Sequence, residues 1–125
     1  MTIQEGLPLS LDELSRIRAT ATLLQKDISL HYPIPILAQM VLLNRKKLQG
    51  LFATEYGMGP YAYLQELRVL KAKEMLLANQ NIRRISISTG FNGIGAVNNF
   101  TKFFKRKTGH SPIAWKRMQQ SRTTG

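Results

Sequence analysis

Apolar residues recur at steps of three and four along most of this chain, and no stretch sustains the alternation of a strand. Leu11, Leu14, Ile17, Ala21, Leu24 and Ile28 predict an amphipathic helix over about residues 11–27. Its start is marked by Ser10-Leu11-Asp12-Glu13, in which the Ser hydroxyl can take the Glu13 amide while Glu13 returns to the Ser amide. Tyr32-Pro33-Ile34-Pro35 breaks it, because proline lacks an amide and turns its predecessor away from helix. Ile36 to Val41 is a short apolar helix, and Asn44 caps the next, which buries Leu48, Leu51 and Phe52 and stops at Gly57. Gly59-Pro60 opens a long helix to about Ala78, with Tyr63, Leu64, Leu67, Leu70, Met75 and Leu76 on a broad apolar face. Asn81 caps a short helix carrying Ile82 and Ile85, halted by Gly90. Asn92-Gly93-Ile94-Gly95 is a turn, followed by a basic helix from roughly Val97 to Lys107 that ends at Gly109. Ser111-Pro112 starts a last helix through Trp115 to about Met118. The expected fold is all-α, with seven helices.

The chain also repeats itself. Leu48, Leu51, Phe52, Gly57, Pro60 and Tyr63 match Phe100, Phe103, Phe104, Gly109, Pro112 and Trp115, every pair 52 residues apart. Three apolar positions, a glycine stop, a proline start and an aromatic describe one packing unit used twice. Each copy is preceded by a short helix across a turn, 36–41 in the first and 82–89 in the second. Two short helices joined by a turn, the second basic, form a helix-turn-helix, whose second helix suits the major groove of B-DNA. The division expected is residues 1–58 for the first such subdomain, 59–79 for a linker helix, 80–120 for the second and 121–125 for a frayed tail. A helix from Pro60 to Ala78 would span roughly 28 Å at ~1.5 Å per residue. Major-groove segments on one face of B-DNA recur every ~34 Å, so one chain could enter two successive grooves.

Charge sharpens the picture. Eighteen Lys+Arg face seven Asp+Glu, a formal charge of +11 in 125 residues. Nine of the basic residues lie after position 80, and no carboxylate follows Glu74. Interleaved with Phe100, Phe103, Phe104 and Trp115, they describe a folded basic face suited to a phosphate backbone rather than a solubilising tail. The absence of cysteine excludes disulfides, a thiol nucleophile and Cys-ligated zinc. His31 and His110 stand far apart, so neither a metal nor another cofactor is expected. With so few acids and imidazoles, an enzyme is not expected either. No apolar run is long enough for a membrane span and no signal-peptide pattern opens the chain, so a cytoplasmic protein is expected.

These motifs resemble the DNA-binding domain of the AraC/XylS family of transcription regulators. Ile36-Leu37-Ala38, Leu48-Gln49-Gly50-Leu51-Phe52, Gly57-Met58-Gly59-Pro60, Tyr63-Leu64 and Leu67-Arg68 are similar to its first helix-turn-helix and linker entry. Ile82, Ile85, Gly90-Phe91, Phe100, Phe104-Lys105, Gly109 and Ser111-Pro112 are similar to its second. The resemblance covers about residues 11–117. It implies two helix-turn-helix subdomains joined by a long helix, binding double-stranded promoter DNA, with RNA polymerase as a further partner. It also implies an effector-binding or dimerisation domain on an N-terminal part, for which residues 1–10 are too short. Two departures stand out. Gly90-Phe91 to Phe100 is several residues longer than the family pattern, so the turn or the start of the second recognition helix must absorb the excess. Gly50 stands where the family often has a larger contacting side chain, and either lowers helix propensity or permits close backbone approach.

With Leu48, Leu51 and Phe52 inward, Arg45, Lys46 and Gln49 project outward as base readers, Arg and Lys for guanine and Gln for adenine. The equivalent outward positions in the second unit are Asn98, Asn99, Thr101 and Lys102. Asn98 reads adenine if its helix starts at or before Val97 and is a cap if the helix starts later. Lys105, Arg106 and Lys107 lie toward the helix end and suit phosphate; Lys47, Arg83 and Arg84 are either phosphate clamps or solvated charges. The alternative is a helical domain binding RNA or anionic membrane surfaces without sequence preference, for which Lys102 to Lys107 would supply the charge.

Overall fold

The computed structural model describes residues 10–124. Among these residues the chain forms seven helices and no strand: α1 (Leu11–Lys26), α2 (Ile34–Met40), α3 (Arg45–Tyr56), α4 (Pro60–Leu77), α5 (Ile82–Ser88), α6 (Ala96–Thr108) and α7 (Pro112–Thr124). The helix starts follow from local hydrogen bonding. Ser10 Oγ accepts the Glu13 N–H at 3.0 Å, and the Ser10 N–H donates to the Glu13 carboxylate. Asn44 Oδ1 accepts the Lys47 N–H at 2.7 Å, and Asn81 Oδ1 the Arg84 N–H at 2.8 Å. Such caps contribute about 1 kcal/mol each. Gly57 and Gly109 end α3 and α6 in the left-handed conformation, with φ of 79° and 87°.

Three details depart from the sequence pattern. α2 begins at Ile34, because Pro33 sits at its N-cap and Pro35 in its first turn, where a missing amide removes no helical bond. α7 continues through Thr124, past the end expected near Met118. Lys116, Arg117, Met118, Gln119 and Gln120 are good helix formers, and neither Gly nor Pro interrupts them. Leu70 and Leu11, expected on apolar faces, are 61% and 87% exposed. Val69, Ala72, Met75 and Leu76 take the buried stripe of α4, and Leu11 stands at the very start of α1.

The chain divides into two compact units. One holds α1, α2, α3 and the start of α4 through Leu64. In it α3 packs on α1 and α2, and Leu48 and Phe52 of α3, Ile17, Ala21 and Leu24 of α1, and Leu37 and Ala38 of α2 are buried. The other holds α4 from Gln65 onward, α5, α6 and α7, together with the segment Ile28–His31. Its core joins Val69, Ala72, Met75 and Leu76 to Ile85, Phe100, Phe103 and Phe104, with Ile82, Phe91 and Trp115 against it. Each buried phenylalanine contributes roughly 1.5–3 kcal/mol. The buried hydroxyls of Thr20, Ser86 and Thr89 each donate at 2.8 Å to a carbonyl one turn back, those of Arg16, Ile82 and Ile85. Arg68, buried in α4, donates from Nε to the Ile28 carbonyl at 2.7 Å and from Nη2 to the Leu30 carbonyl at 3.2 Å.

The two units repeat the same interior. Phe52 meets Tyr63 edge-on with centroids 5.2 Å apart, and Phe104 meets Trp115 edge-on at 5.9 Å. The Gly57 N–H donates to Ala53 and the Gly109 N–H to Lys105, again 52 positions apart. The repeat seen in the sequence is therefore a repeat of structure.

Candidate nucleic-acid interface

The first candidate surface is the outer side of α3. Burial of Leu48 and Phe52 fixes the helix rotation and leaves Arg45, Lys46 and Gln49 exposed. Arg45, Lys46 and Lys47 crowd the first turn, which contains no acidic residue. Cations at a helix N-terminus oppose the macrodipole by about 0.3–1 kcal/mol each, so this placement is unfavourable for the helix alone. An anionic ligand would reverse that balance. Lys47 Nζ pairs with Glu13 Oε2 of α1 at 2.8 Å. The Lys47 ammonium, followed by the Ser10 amide, holds the Glu13 carboxyl below its ordinary value of 4.5. Gly50 is exposed, and a Cβ built on it would meet nothing within 4 Å, so no packing inside the protein requires glycine there.

The second surface is the outer side of α6. Phe100, Phe103 and Phe104 are buried, whereas Asn98, Asn99, Lys102, Lys105, Arg106 and Lys107 are exposed and Thr101 is half-buried. α6 begins at Ala96 with Gly95 at its N-cap and no side-chain cap bond. Asn98 is thus a first-turn residue of α6 and not its N-cap. Lys105, Arg106 and Lys107 occupy the last turn, where the helix dipole favours cations. The Arg106 guanidinium lies over the Phe103 ring, 5.9 Å from its centroid, and Lys107 pairs with Glu66. Arg83 and Arg84 are exposed at the start of α5.

An open groove of about 780 Å³ runs beside the N-terminal end of α6. It brings together Arg83, Asn98 and Thr101, and includes Ile94 and its flanking glycines. Lys102, Asn99 and Arg84 are not part of its lining. The sequence pattern missed Ile94, a wholly exposed side chain, and missed the restraint of Lys47 and Lys107 by Glu13 and Glu66. The two glycines around Ile94 were the available signal for the first. The ion pairs carry none, since Glu13 and Glu66 lie far from their partners in the chain.

Among the described residues no group of three or more His, Cys, Asp or Glu could hold a metal ion. No helix there is long and apolar enough to cross a membrane.

The family model described as "Helix-turn-helix domain" matches residues 37–118, covering both surfaces. No curated protein sequence matches the chain significantly. Solved structures do match its fold. The DNA-binding domain of AdpA, a global transcriptional factor solved in complex with a target DNA, superposes with a TM-score of 0.74 at 19% identity, over 86% of this chain and 95% of that one. The C-terminal domain of AraT, a response regulator from Geobacillus stearothermophilus, gives 0.73 at 24% identity, over 82% and 84%. An AraC-type transcriptional regulator from Chromobacterium violaceum gives 0.70 at 22% identity, over 88% and 96%. The family match, the repeated helix-turn-helix and the shared all-α fold lead to one conclusion: the chain belongs to the AraC-type helix-turn-helix family.

Proposed function

We propose that this chain is a sequence-specific double-stranded DNA-binding domain of a transcription regulator, with α3 and α6 as recognition helices in successive major grooves. The observation that carries the reading is the repeated division of both helices into a buried apolar face and an exposed polar, basic face. α4, with 18 residues, is roughly 27 Å long, close to one groove repeat of ~34 Å. In this reading residues 1–58 and 80–120 act as the two DNA-binding subdomains and 59–79 as the linker.

Arg45, Lys46, Gln49, Asn98, Asn99, Thr101 and Lys102 read base edges, while Lys47, Arg83, Arg84, Lys105, Arg106 and Lys107 hold phosphates. The role is one of binding, without catalysis, in the cytoplasm. RNA polymerase and an N-terminal effector or dimerisation domain are the further partners proposed. The RNA or membrane-surface alternative finds no support: Phe100, Phe103 and Phe104, the aromatics it would expose, are core residues.

Selection from a random duplex library tests the reading. An enriched sequence, bound with a log–log salt slope of about −5 for the six phosphate-holding residues, is the expected result. Equal affinity for enriched and random duplex would refute it.

A further inference from the structure

The two helix-turn-helix units are in register up to one point. α2 (Ile34–Met40) and α5 (Ile82–Ser88) have equal length, 48 positions apart. Their closures match bond for bond. Leu42 and Leu43 donate to Gln39 and Ala38 at 3.2 and 2.9 Å, and Gly90 and Phe91 donate to Ile87 and Ser86 at 3.1 and 2.9 Å. Leu42 and Gly90 are both left-handed, with φ of 60° and 98°. Beyond the turn the spacing becomes 52, as for Leu48 and Phe100 or Gly57 and Gly109. Four residues, Asn92–Gly95, are therefore extra in the second unit, and they fall between the closed turn and the first turn of α6. The turn takes up three of the four additional positions, and α6 takes up the fourth by starting at Ala96, one register position earlier than α3 starts at Arg45.

Folding does not explain what the extra residues carry. Ile94 is fully exposed, at 105% of its reference area, between Gly93 and Gly95 with φ of 79° and 84°. The N-cap of α3 is Asn44, whose side chain caps the helix, whereas the N-cap of α6 is Gly95, which gives it no side-chain cap. The insertion thus forfeits a cap and exposes a large aliphatic side chain. It does so on the groove lined by Asn98, Thr101 and Arg83, beside the helix end from which helix-turn-helix proteins reach base edges.

We propose that Asn92–Gly95 is a reading loop and that Ile94 makes an apolar contact with a thymine 5-methyl group in the major groove entered by α6. The chemistry is specific: thymine alone among the four bases presents a methyl group there. The inference rests on the DNA-binding reading given above, and the experiment separates the two.

On the duplex enriched by the wild-type chain, each thymine is replaced in turn by uracil, which removes only the methyl group. Binding is followed by fluorescence anisotropy for wild type, Ile94→Ser and Ile94→Val. One uracil should weaken wild type roughly fourfold, the worth of one buried methyl. Ile94→Ser should lose as much on the thymine duplex and nothing more on the uracil duplex, and Ile94→Val should keep the thymine preference. A wild-type affinity for Ile94→Ser, or a uracil penalty that persists in it, overturns the inference. Unchanged circular dichroism and melting are expected because Ile94 is outside the core. Unfolding of Ile94→Ser would itself count against a side chain that serves only DNA. If the wild type enriches no sequence at all, the DNA-binding reading fails and takes this inference with it; enrichment with an insensitive Ile94 overturns the inference alone.

Discussion

A Cβ on Gly90 would lie 2.8 Å from Nη2 and 2.9 Å from Cζ of the Arg68 guanidinium. The Ser29 carbonyl would stand 3.1 Å from it, and Gly90 holds φ of 98°. The guanidinium cannot easily swing aside, because it donates to the Ile28 and Leu30 carbonyls. Gly90 is thus the glycine on which the segment Ile28–His31 and α4 jointly depend. Gly90→Ala should destabilise the second unit by about 2–3 kcal/mol in urea unfolding, from left-handed strain together with overpacking. In an Arg68→Met background the added cost of Gly90→Ala should fall, giving a non-additive cycle. Additive losses would place the penalty in the backbone alone.

Gly50 offers the opposite case. It is interior to α3, exposed, and surrounded by open space. Gly50→Ala should stabilise the chain by about 0.5–1 kcal/mol through helix propensity. The same variant decides why glycine stands there. Weaker binding to the enriched duplex, despite the gain in stability, would mean that the α3 backbone approaches DNA closely at Gly50. Unchanged binding would leave glycine without a role in the complex.

Glu13 restrains a proposed phosphate contact. Glu13→Gln removes the partner of Lys47 and a negative charge near α3. We expect roughly two- to fivefold tighter duplex binding at low salt, with the difference fading as salt screens it. Stability should move the other way. A carboxyl held below 4.5 contributes stability at neutral pH that disappears as pH falls through its folded-state value. The deficit of Glu13→Gln should therefore be constant near pH 7 and close in acid. A deficit independent of pH down to full protonation would show that the charge is not responsible.

Base and phosphate roles separate by comparing duplexes. Gln49→Ala should cost about 1–3 kcal/mol on the enriched duplex and relax preference at one base pair. Lys105→Ala should weaken enriched and random duplexes alike and reduce the salt slope by about 1. Equal losses on both duplexes for Gln49→Ala would remove it from the readout.

Much of this architecture was legible because it is written in short-range chemistry. Ser10, Asn44 and Asn81 cap within three residues of their own position, and Gly57 and Gly109 close helices by backbone sterics alone. The paired aromatics Tyr63 and Trp115 carried the repeat because each fills the same place against Phe52 or Phe104. Arg68 was not legible in this way: it satisfies backbone carbonyls about 40 positions earlier, which no local pattern encodes. Leu70 misled because an apolar residue beside a buried stripe looks the same in sequence whether or not a neighbour covers it. The excess length between Gly90-Phe91 and Phe100 showed against the family pattern, but its exact size and place did not, since the leading helices α2 and α5 share burial rather than a residue pattern. For the outward residues of α3 and α6, the side of the helix was legible from the core positions opposite them.

Hydroxyl-radical footprinting of the enriched duplex addresses the paired-helix claim most directly. Two protected windows about 10 base pairs apart, on one face of the duplex, are what α3 and α6 in successive grooves should produce. A single window, or two on opposite faces, would contradict it.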